Sequence, residues 1–119
     1  MATYKVDDAS GTDSPASSVY KTIQYAIDDI NGAHSSGLTK GTYGDRLNVR
    51  NTGTYSESAL DFSTYAPASS TPIMLIGTTS GDVVDLDNKA VIDTSTGNLF
   101  SAQTNGVLLV NLDKSAIRS

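Results

Sequence analysis

The chain has 119 residues and a formal net charge of −5, with 13 Asp plus Glu against 8 Lys plus Arg, a single His and no Cys. This acidic balance argues against nucleic acid or an anionic membrane surface as partner, one imidazole excludes a metal held by several, and the lack of cysteine excludes disulfides, thiolate metal sites and a thiol nucleophile. The longest apolar run, Ile73 to Ile76, is far shorter than the roughly 20 residues that span a bilayer, and no basic-then-apolar leader opens the sequence, so a soluble single domain over 1–119 is expected.

Thr3 to Val6 reads as a strand, and Asp7 to Pro15 is dense in turn formers. Val19, Ile23, Ala26, Ile27 and Ile30 then fall on one stripe of a 3.6-residue period, which predicts a helix over roughly 18–31, capped by Ser17 or Ser18 and stopped at Asn31-Gly32. Residues 1–32 therefore form strand, loop and helix, and 33–46, with its glycines and no periodicity, is expected to be a flexible loop. Short strands fill 47–119: Leu47 to Val49, Thr54 to Ser58, Ala59 to Phe62, Val83-Val84, Ala90 to Ile92, Leu99-Phe100 and Val107 to Leu112. Among them Pro72-Ile73-Met74-Leu75-Ile76-Gly77 has the continuous apolar character of a central strand buried on both faces.

These patterns, in this order, resemble the N-terminal part of right-handed parallel β-helix proteins of the pectate-lyase-like class. The most specific element is the helix Thr22-Ile23-Gln24-Tyr25-Ala26-Ile27-Asp28; Gly44-Asp45-Arg46-Leu47-Asn48-Val49, Gly53-Thr54-Tyr55, the Pro72 to Gly77 strand, Ala90-Val91-Ile92-Asp93 and Asn105 to Leu112 follow. The resemblance implies a mainly β fold, a short right-handed β-helix-like stack with the helix capping its first coil, where spacing alone is equally compatible with a β-sandwich or jelly roll. Members of the class run for many coils, whereas this sequence holds material for two or three. A stack that short is expected to be completed by other copies, a trimer in first place, or by a larger assembly.

Catalytic residues of the class lie on later coils, so the resemblance implies no enzyme, no cofactor and no metal. Asp85-Leu86-Asp87 with Asn88 or Asp82, and Asp7-Asp8 with Asp13, have oxygen ligands at spacings that suit Ca²⁺, but both read more simply as polar turns. His34 lacks a nucleophile elbow around any nearby Ser and reads as a solvated loop residue. Tyr43, Tyr55 and Tyr65 are candidates for a sugar-stacking platform, and Arg46 and Arg50, alternating with Leu47 and Val49, are candidates to meet a neighbour's carboxylate. With Tyr43, Arg46, Arg50, Tyr55 and Tyr65 as partner-binding residues and the loops at 33–46 and 64–71 reaching outward, the expected function is structural. The composition resembles that of phage surface proteins, which implies a bacteriophage decoration or cement protein on the virion surface that binds the major capsid protein or another virion protein. A carbohydrate-binding module of an adhesin or tail spike, extracellular in setting, is the alternative.

Overall fold

The computed structural model describes residues 2–41, 44–65, 72–94, 98–103 and 106–113. Among them are eight strands and one short helix, and every strand pairing is parallel. Parallel neighbours cannot be joined by a tight hairpin, so each strand must find its partner far along the chain. Here β1 (Thr3–Asp7), β2 (Arg46–Arg50), β5 (Ile73–Thr78) and β8 (Val107–Val110) form one sheet in the order β1-β2-β5-β8. Two smaller sheets pair β3 (Thr54–Glu57) with β6 (Val91–Thr94) and β4 (Leu60–Phe62) with β7 (Phe100–Gln103). The chain thus visits the three sheets through β2, β3 and β4, revisits them in the same order through β5, β6 and β7, and returns to the first at β8.

Register converts this order into columns of side chains. Tyr4, Leu47, Leu75 and Leu109 lie side by side across the four-stranded sheet, as do Lys5, Asn48, Ile76 and Val110. Alternation along a strand sends the first column toward the core and the second outward. Val6, Val49, Tyr55, Leu60, Phe62, Ile73, Leu75 and Ile92 are buried with the helix residues Ile23, Ala26, Ile27 and Ile30, each Val, Leu, Ile or Phe side chain contributing about 2 kcal/mol of apolar burial. The apolar run expected as a central strand forms β5, inside its sheet and buried over Ile73–Thr78 apart from Met74. Gly77 is required there: a Cβ would stand 2.1 Å from the Asn111 carbonyl oxygen, because the backbones of Ala90 and Asn111 close over it.

The helix α1 spans Ile23–Ile30, five residues shorter at its start than the apolar stripe predicts. Val19 and Tyr20 belong instead to an extended segment along the outer edge of β1, where the Tyr20 amide donates to the Lys5 carbonyl and the Asp7 amide to the Tyr20 carbonyl. Ser17 and Ser18 do not cap. The free amides at the helix start go to Glu57, whose carboxylate accepts from Ile23 at 2.7 Å and Gln24 at 3.4 Å, while Asp13 accepts from Lys21 and Thr22 just before. The stop is where expected: Gly32 at φ +86° lets its amide reach Asp29 O and the Ala33 amide reach Asp28 O, a Schellman closure. Gln24 also reaches across to β4, its side-chain amide accepting from Asp61 N at 2.8 Å and donating to Asp61 O at 3.0 Å, as a neighbouring strand's backbone does.

The expected strand at Val83-Val84 is absent. These residues lie in the exposed segment between Thr79 and Lys89, which turns tightly at Asp82, a non-glycine residue at φ +63°. Two β-branched residues carry strand propensity, but no described strand pairs with them.

Candidate functional site

Four of the five residues expected to bind a partner are described, and the chain uses all four internally. Tyr43 lies outside the described residues. Tyr55 and Tyr65 are each 1 % exposed, which removes them from any sugar-stacking or partner surface. The Tyr55 hydroxyl donates to Arg50 O at 2.5 Å and accepts from the Asp8 amide, and the Tyr65 hydroxyl donates to Asp45 Oδ2 at 2.7 Å. Burial pushes the Tyr55 phenol up to about 12 and, with the Asp45 carboxylate beside it, raises that of Tyr65 further. Arg46 is half-buried and its Nε donates to Asn48 Oδ1 two residues along the same strand.

Arg50 is the hub of an ion network. Its guanidinium grips Asp82 with two bonds, Nε to Oδ1 at 3.0 Å and Nη2 to Oδ2 at 2.8 Å, and lies 3.4 Å from Asp7 Oδ2, while Lys5 approaches Asp82 at 3.5 Å. The alternation with Leu47 and Val49 does turn Arg50 away from the core, but toward its own chain's carboxylates. Asp82 is held below the usual carboxylate range by these hydrogen bonds from Arg50. In Asp7 burial works upward but is overcome by hydrogen bonds from Thr52, Ser10 and Ala9, which bring the carboxyl down to about 2.

The two carboxylate turns fold on themselves. Asp85 accepts from Asp87 N and from the Asn88 side chain, and Asp7 accepts from Ala9 N and Ser10 N. Among the described residues no three His, Asp or Glu gather in a way that could hold a metal ion. His34 is not a solvated loop residue: its ring stacks on Tyr25 with centroids 4.0 Å apart and planes within 6°. Nor is 33–41 a free loop, since Leu38 packs on the core, Lys40 Nζ donates to Thr64 O at 2.7 Å and Gly41 N to Asp45 Oδ2 at 3.0 Å. Arg46, assigned to that loop from sequence, begins β2. Of the second expected loop, 64–71, residues 66–71 lie outside the described set.

A polar cleft of about 400 Å³ lies between the start of α1 and the β3–β4 corner, lined by Thr22, Gln24, Asp28, Ser56, Glu57, Ser58, Ala59 and Asp61. It offers hydrogen-bond acceptors and hydroxyls but no cation. Burial raises Glu57 above its ordinary range, yet its carboxylate is committed to the helix amides, so the cleft holds no free acid–base pair. Its residues act as fasteners between helix and strands.

The other end of the molecule has the opposite character. β8 is the outermost strand of its sheet, and no described strand pairs with its far edge. Leu108 is 48 % exposed, and Leu109 and Val110 are each more than a third exposed. Leu109 belongs to the inward column, so its exposure means that the core face of the sheet is only partly covered at β8. Val83, 63 % exposed, Val84, and Leu86, 74 % exposed, lie on the segment after β5, which Arg50 holds at Asp82 and Asn111 holds at Asp85 O by donating from Nδ2 at 2.9 Å, with a second bond to Gly77 O at 3.1 Å. These six are the large exposed apolar side chains among the described residues, three on β8 and three on the segment after β5. Sequence reasoning placed the strand but missed its exposure, because exposure of an apolar run depends on what fails to stack on it.

No helix among the described residues is long and apolar enough to cross a membrane. Comparison with known proteins gives no match to a family model, to a curated protein or to a solved structure.

Proposed function

We propose that the chain is a non-enzymatic structural module, a short right-handed parallel β-helix closed at one end by its own helix and joined through the other to a further protein surface. The handedness follows the near-universal rule for crossovers between parallel strands of one sheet, and the repeated visiting order of the three sheets supports the coiled path. The observation that carries the reading is β8: no described strand pairs with its far edge, and Leu108, Leu109 and Val110 along it are each more than a third exposed, where a folded protein normally keeps neither. The internal use of Arg50, Tyr55 and Tyr65 supports it too, since the polar residues that chemistry or sugar stacking needs are spent on the fold.

The virion-decoration role expected from the sequence is this reading with a capsid as the surface. Sizing chromatography with light scattering tests the general form, and immunogold labelling of virions tests the particular one. An assembled protein, or labelled particles, is the expected result; a folded 12.4 kDa monomer that no particle retains overturns the proposal.

A further inference from the structure

We draw no further inference here: the strongest candidate, the polar cleft between the start of α1 and the β3–β4 corner with its continuation past Ser56 and Ser58 to Asp93, rests on a group of carboxylates, and the Glu57 and Gln24 side chains that line it are bonded to the chain's own backbone, so nothing there points to a ligand.

Discussion

Replacing Arg50 by methionine keeps most of the side-chain bulk and removes the guanidinium that ties the ends of β1 and β2 to the segment after β5. The Arg50 side chain is 14 % exposed and that of Asp82 21 %, between the surface pairs that contribute about 0–1 kcal/mol and the buried pairs whose disruption costs about 3–5 kcal/mol. Two short bonds to one carboxylate, a longer approach to Asp7 and a weak Lys5 contact left behind place R50M at a loss of about 2 kcal/mol, or a Tm lower by about 10 °C for a chain of this size. Urea denaturation of both proteins across pH supplies the sharper test. Asp82 is depressed in the fold by Arg50, so its stabilisation is present above the unfolded value of about 3.9 and disappears as pH falls through it toward the folded value, whereas Asp7 keeps its bonds from Thr52, Ser10 and Ala9 in both proteins and cancels from the comparison. The gap between wild type and R50M should therefore be widest near neutrality and close from about pH 4 downward. Equal stability at pH 7, or a gap unchanged down to about pH 3, refutes the network as the source.

The remaining expectations concern the fasteners and the core. Glu57→Ala strips the acceptor from two helix-start amides and should cost about 1 kcal/mol by far-UV circular dichroism in urea. Because burial raises the Glu57 carboxyl, its proton-linked stabilisation is present below the unfolded value of about 4.3 and lost as pH rises, so the deficit of the variant should widen on acidification. Two glycine substitutions should separate by mechanism: Gly77→Ala drives a Cβ into the Asn111 carbonyl and costs about 3 kcal/mol, while Gly32→Ala meets only backbone strain, about 1 kcal/mol. Equal losses in the two would contradict the close approach at Gly77. In an alkaline titration followed by tyrosine absorbance, Tyr20, Tyr55 and Tyr65, all raised by burial, should ionise only as the protein unfolds; six phenols titrating together near about pH 10 would show that these rings are not buried.

Periodic and punctuating features were legible in the chain: the stripe from Ile23 to Ile30, the stop at Gly32 and the interior strand at Ile73–Thr78 all stand where the residues imply. What escaped depends on distant partners. Val19 matches the helical stripe, but the backbone beside it is claimed by the edge of β1, and local spacing carries no sign of that demand. Tyr55 and Tyr65 are amphipathic rings whose inward turn is decided by the Arg50 carbonyl and Asp45, five and twenty residues away. Arg50 pairs with Asp82 across 32 residues, so a strand face that looked ready for a neighbour was already engaged.

Tyr20 against β1 and Gln24 against β4 act as blind flanges at the helical end. Strand-by-strand recruitment is thereby barred where they sit, because the backbone groups a newcomer would pair with are already bonded. A fibre built by strand addition would find no purchase on those stretches of backbone.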